Sequence, residues 1–179
     1  LLAAVVLVAV VAGVATNRRA AAALDRPERR LVLLAGLLLG GHFATWIPSV
    51  DRTTVASSVA LVSTQPVWAA LLARGRGEHV GRATWWGIAV AFSGVVVLTG
   101  VDVAVDADAL VGGAVAVAGG ILAAGYVTAG AAVRRTVPNP VYTLGCYAVA
   151  GIAVGLASLA SRQALVGFDG RSWLVILAI

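Results

Sequence analysis

Two histidines, one cysteine and eight acids are the residues of this 179-residue chain from which acid–base, nucleophilic or metal chemistry could be built. Their spacing gives little of it. Asp25, Glu28, Asp51, Glu78, Asp102, Asp106, Asp108 and Asp169 all fall between long apolar runs or at their ends. Neither a buried carboxylate pair for hydrolysis nor an acidic proton relay is therefore written in the chain. His42 and His79 have no HExxH or similar ligand spacing. The lone Cys146 rules out an internal disulfide and a multi-cysteine metal site and leaves the redox compartment open. No catalytic residue, no metal and no cofactor is expected, which shifts attention to His42, the one histidine inside an apolar run.

The elements that must position His42 are set by composition. The chain is 60% hydrophobic and 12% charged, with a mean hydropathy of +0.97, against roughly one quarter charged residues in an ordinary soluble domain. The few charges stand in short islands between apolar stretches, so the bilayer is the expected solvent. A helix rising about 1.5 Å per residue needs about 20 apolar residues to cross the hydrocarbon core. Runs at 31–50, 53–73, 84–101, 109–133 and 141–160 meet or approach that length, while 1–16 and 173–179 are shorter. The expected fold class is an all-α integral membrane protein, a polytopic helix bundle. A chain that opens on Leu1 and closes inside an apolar run reads as truncated at both ends, and its start does not look like a signal peptide.

The net charge of +5 and sequence pI near 10.7 come entirely from arginine. No basic helix face interleaved with aromatics accompanies them, so nucleic acid is not an expected partner. The excess reads as topology instead. Segments 17–30, 74–82 and 134–140 hold Arg18, Arg19, Arg26, Arg29, Arg30, Arg74, Arg76, Arg82, Arg134 and Arg135. The alternate connections hold only Arg52, Arg162 and Arg171, together with Asp51, Asp102, Asp106, Asp108 and Asp169. The positive-inside rule puts the Arg-rich segments in the cytoplasm of a multi-pass protein of the cell membrane. The first run then travels from outside to inside, and an N-terminus inside requires one more helix before Leu1.

Leu31-Val32-Leu33-Leu34-Ala35 recurs as Leu174-Val175-Ile176-Leu177-Ala178, and Arg19 stands to Arg162 at the same spacing. A repeat at that spacing holds an odd number of helices once the unseen one is counted. Its second copy must therefore lie upside down relative to the first, a transporter architecture. Gly36 with Gly40, and Gly151 with Gly155, have GxxxG spacing, and Gly87 and Gly94 are one heptad apart. Such spacing serves packing within one chain as well as a homodimer.

Depth in the bilayer ranks the polar residues. His42 lies eleven residues past Leu31, roughly 16 Å into its helix and near the midplane, where an ionisable side chain is costly and marks function by default. Trp46 follows at i+4 on the same face. The pair either presents an imidazole and an indole to one cavity, or is a neutral histidine bonded to a neighbouring helix with a tryptophan as filler. Gln65 falls at a similar depth on an antiparallel neighbour. Pro66 cannot donate a backbone hydrogen bond to the turn before it and should kink that helix. Ser63, Thr64 and Gln65 beside the kink either contact a substrate or bond helix to helix.

From Gly36 to Gly100 the chain runs His42-Phe43-Ala44-Thr45-Trp46, then Thr53-Thr54-Val55-Ala56-Ser57-Ser58, then Gln65-Pro66-Val67-Trp68, then Gly77-Glu78, Gly87 and Gly94-Val95-Val96-Val97-Leu98. This order resembles the EamA-type branch of the drug/metabolite transporter superfamily, built from two inverted five-helix repeats. The resemblance implies that the visible helices are the second to seventh of ten, with the eighth begun at Trp173. Residues 1–104 would be most of the first repeat, its first helix missing, and 105–179 the start of the second. It also implies that Tyr126 and Thr128 line a cavity, although Tyr126 is equally suited to anchoring at the membrane interface. Arg76 departs from the aliphatic residue usual before Gly-Glu. Gly77 and Glu78 form a structural or gating turn in which Glu78 pairs with Arg74, Arg76 or Arg82.

The function implied is secondary transport, the export or exchange of a small organic metabolite such as an amino acid or drug-like solute by alternating access. An integral-membrane enzyme using His42 with residues beyond Ile179, and a scaffold of packed helices, are the alternatives. The candidate substrate contacts are His42, Trp46, Ser63, Gln65 and Tyr126. The expected partners are the lipid bilayer and a small-molecule substrate.

Overall fold

The computed structural model describes residues 22–105 and 107–161. The runs at 1–16 and 173–179, and the second copy of the Leu31–Ala35 repeat, lie outside them. Six helices occur among the described residues: α1 Arg26–Ser49, α2 Val55–Val62, α3 Gln65–Gly75, α4 Arg82–Val105, α5 Ala107–Val133 and α6 Asn139–Ala160. With α2 and α3 taken as one interrupted span, five stretches among the described residues are long and apolar enough to cross a bilayer. The fold is that of a polytopic helical membrane protein.

Helix ends follow capping chemistry and overrun the apolar runs. α1 starts at Arg26, ahead of the run at 31–50, because Asp25 and Glu28 form a capping box. The Glu28 N–H donates to Asp25 Oδ1 at 2.7 Å, and the Asp25 N–H donates to Glu28 Oε2 at 3.0 Å. Pro27 fits the first turn, where its missing donor is not needed. The acidic stretch 102–108, expected as a loop, is helical up to Val105 and again from Ala107. Hydropathy measures only what lies in lipid, whereas backbone hydrogen bonding continues past the last apolar residue.

The expected kink in 53–73 is a full interruption at Ser63 and Thr64. Pro66 leaves the Val62 carbonyl without its helical donor. The local hydroxyls turn back instead: Ser63 Oγ donates to the Val59 carbonyl and Thr64 Oγ1 to the Leu61 carbonyl, each at 2.7 Å. Hydroxyls bonding one turn back are a recognised accompaniment of bent helices.

α5 is the central element, more buried than any other described span. It packs along α1 and receives α2 and α3, while α1 also lies along α6 and α4 rests mainly on α2. Small residues allow this closeness. A methyl group at Gly36 would come within 2.6 Å of Val149 Cβ, and one at Gly40 within 2.8 Å of Ala153 Cβ, both on α6. The Gly36/Gly40 spacing is thus used inside the chain. Gly87, Gly94, Gly151 and Gly155 face nothing within 4 Å among the described residues.

The packed interior at the Arg-rich end joins Val32, Ala35 and Leu39 of α1, Ala129 and Val133 of α5, and Val141, Tyr142, Cys146 and Ala150 of α6. Large apolar side chains point outward as well, Trp86 at 72% and Val97 at 77% exposure. Apolar surface on that scale is at home against acyl chains and would be a liability in water.

Candidate functional site

Two adjacent glycines of α5 organise the polar groups in the apolar bundle. At Gly119, α1 comes so close that an added methyl would meet Thr45 Oγ1 at 3.1 Å and Trp46 Cβ at 3.2 Å. The Gly119 carbonyl lies 3.0 Å from His42 Nδ1. A carbonyl only accepts, so Nδ1 carries the proton and donates. His42 is tied across to α5 through one nitrogen, and its imidazole stacks on Trp46 with centroids 5.6 Å apart and planes 15° from parallel. Phe43 tilts against the same imidazole at 4.9 Å. Trp46 Nε1 is buried with no hydrogen-bond partner among the described residues, which leaves one indole donor unmatched at this step.

At Gly120 the same helix meets the break between α2 and α3. A methyl there would lie 3.0 Å from the Val62 carbonyl and 3.4 Å from Thr64 Oγ1. Thr64 is buried and accepts a hydrogen bond from Trp68 Nε1 at 3.1 Å. The α5 di-glycine therefore brings His42, Thr45 and Trp46 from one side and Val62, Thr64 and Trp68 from the other to one level. Nearby, the buried hydroxyls of Ser49 and Ser58 pair at 2.6 Å and tie α1 to α2.

The remaining candidates lie apart from this junction. Ser63 is exposed, bonded back to Val59, and borders a small cavity with Thr64, Pro66, Val67, Ile88 and Phe92. Gln65 is half-buried on the first turn of α3. Tyr126 is seven residues beyond Gly119, about 10 Å along α5. It packs against the interior at the Arg-rich end, which includes Tyr142 of α6.

Gly77 ends the helix that carries Trp68. Its φ of +78° is left-handed, which favours glycine. The Gly77 N–H donates to the Arg74 carbonyl at 2.9 Å and the Glu78 N–H to the Ala73 carbonyl at 3.0 Å, the paired closure of a Schellman turn. Of the three arginines on offer, Arg76 pairs with Glu78, Nε to Oε1 at 2.7 Å. That hydrogen bond holds the exposed Glu78 carboxyl below the ordinary carboxylate range, and the charges of Arg76 and Arg135 act in the same sense. The reach of Arg135 places the α3–α4 and α5–α6 turns at one end of the bundle.

The family model for EamA-like transporters matches residues 1–100, more than half of the chain and including α1, α2 and α3. The chain belongs to the EamA-like transporter family. No curated protein and no solved structure matches it. Within this EamA-like chain, Gly119 and Gly120 are the residues that sequence reading passed over. Adjacent glycines in a span otherwise rich in alanine and valine were the available signal, since they allow two neighbouring helices to approach at the same level. Thr45 and Trp68 carried no signal of their own, because their roles exist only once the helices are assembled.

Proposed function

We propose that this chain works as a secondary transporter of the cell membrane, exporting or exchanging a small organic metabolite by alternating access. The Arg-rich turns face the cytoplasm, and residues 1–104 and 105–179 belong to two inverted repeats. The observation that carries the reading is the junction at Gly119–Gly120. There an ionisable histidine, an unmatched indole donor and a buried threonine meet a proline-broken helix at one level of a largely apolar bundle. Broken helices and polar residues near the midplane are how transporters expose binding groups to a solute. His42, Trp46 and Thr64 are the favoured contacts, with Gln65 and Ser63 flanking the break and Tyr126 deeper toward the cytoplasmic end. Family membership supports transport as the class of activity.

The test is flux in proteoliposomes with the full-length protein, across a panel of labelled amino acids and small organic ions, with and without a pH gradient. Flux of a panel member that is lost in His42→Ala supports the reading. Folded protein without flux for any solute contradicts it.

A further inference from the structure

An open groove of about 480 Å³ lies between α3 and α5, lined by Trp68, Leu71, Leu72, Gly75, Arg76 and Ile121. Its size falls in the range of small-molecule sites. One end borders the candidate site at Trp68, which lines the groove and hydrogen-bonds Thr64. The other end, eight residues and about 12 Å further on, opens at the guanidinium of Arg76, just past the end of α3. The walls are aromatic and aliphatic, and Arg76 is the charged residue among them.

Arg76 is held in position and still has donors to offer. Glu78 engages it through Nε at 2.7 Å. The two terminal amino groups supply four further N–H donors in a planar fork matched to a carboxylate or sulfonate. Arg135 adds positive charge near the same turn, and Arg74 stands two residues before Arg76.

Resting on the transporter reading above, we propose that the solute is an amphipathic organic anion. Its apolar body lies on Trp68, Leu71, Leu72 and Ile121, and its carboxylate or sulfonate meets Arg76 at the Arg-rich mouth. Glu78, on Nε, leaves that fork free but partly neutralises the guanidinium charge, so the ion pair tempers the hold on the anion.

Three membrane-impermeant aromatic probes of similar size separate the charge classes: p-toluenesulfonate, phenyltrimethylammonium and phenylalanine. In proteoliposomes of the full-length protein, saturable toluenesulfonate flux is expected to exceed that of the cation. Arg76→Gln should raise the KM for toluenesulfonate roughly tenfold or more, the scale of one charge-assisted hydrogen bond. Glu78→Gln should lower that KM by removing the negative charge beside the guanidinium. Leu72→Trp, which fills the groove without touching a charge, should also raise it and guards against misfolding of the Arg76 variant. Flux of phenylalanine or the cation that equals or exceeds that of the anion, indifferent to Arg76→Gln and Leu72→Trp, overturns the inference and leaves transport standing. No flux of these probes or of the wider panel, in folded protein, removes the transporter reading and the inference with it. A phospholipid that co-purifies with the wild type and is lost in Arg76→Gln, while flux is unchanged, assigns the groove to lipid and overturns the inference.

Discussion

His42 spends one nitrogen on the Gly119 carbonyl and one face on Trp46, so substitution there tests both a tie and a site. Cross-helix hydrogen bonds in membrane proteins contribute about 0.6 kcal/mol on average. His42→Ala is accordingly expected to abolish flux while lowering thermal stability only slightly, measured by uptake and melting on the same preparation. Full flux removes His42 from the site. Gln65→Leu is expected to change substrate affinity more than stability, and unchanged uptake with a lower melting temperature assigns it to packing. Depth along an apolar run singled out His42 from the sequence. Its partner was invisible there, because a backbone carbonyl carries no residue signature.

The α2–α3 interruption is a property of the element. Pro66 withholds one donor, and Thr64 and Ser63 satisfy carbonyls one turn back. Pro66→Ala restores that donor and is expected to join α2 to α3, raising thermal stability and slowing amide exchange around Ser63 while reducing flux. Unchanged exchange at Ser63 and Thr64 would show that tertiary contact with Gly120 maintains the break. Where α3 ends, Gly77→Ala forces a Cβ into left-handed backbone at a cost of about 1 kcal/mol, readable as a lower unfolding midpoint. Glu78 adds a pH dependence of known sign. Its folded-state pKa is lowered by Arg76, so its contribution is present at neutral pH and is lost as pH falls through the lowered value. The melting difference between wild type and Glu78→Gln should therefore shrink in acid. Proline marked this helix as kinked in the sequence, whereas the extent of the break depended on what α5 placed beside it.

For the whole molecule, the decisive property is sidedness. The Arg-rich turns at 74–82 and 134–140 come near enough for Arg135 to act on Glu78, whereas Asp51 lies beyond the opposite end of α1. In a Cys146→Ser background, His79→Cys and Asn139→Cys are expected to react with an impermeant maleimide from the cytoplasmic side and Asp51→Cys from the other. Reaction of the first two from opposite sides would contradict the shared end. Packing gives a second test at this scale. Gly120→Val drives α5 away from Val62 and Thr64 and is expected to lower the melting temperature sharply, whereas Gly87→Val meets no described residue and should leave it nearly unchanged.

Composition and the length of the apolar runs determined a membrane-spanning helical bundle, because only hydrogen-bond-satisfied helices of about 20 apolar residues cross lipid this way. The arrangement of arginines between the runs set which turns should share a side. The tertiary structure alone decided that α5 lies at the centre, that Gly36 and Gly40 face α6, and that His42, Trp46 and Thr64 converge on two glycines of α5 while Tyr126 does not. Every neighbour of an apolar helix offers much the same lipid-like surface, so hydropathy cannot choose among them. The choice rests on where a missing Cβ permits backbones to touch and where a buried donor finds its acceptor.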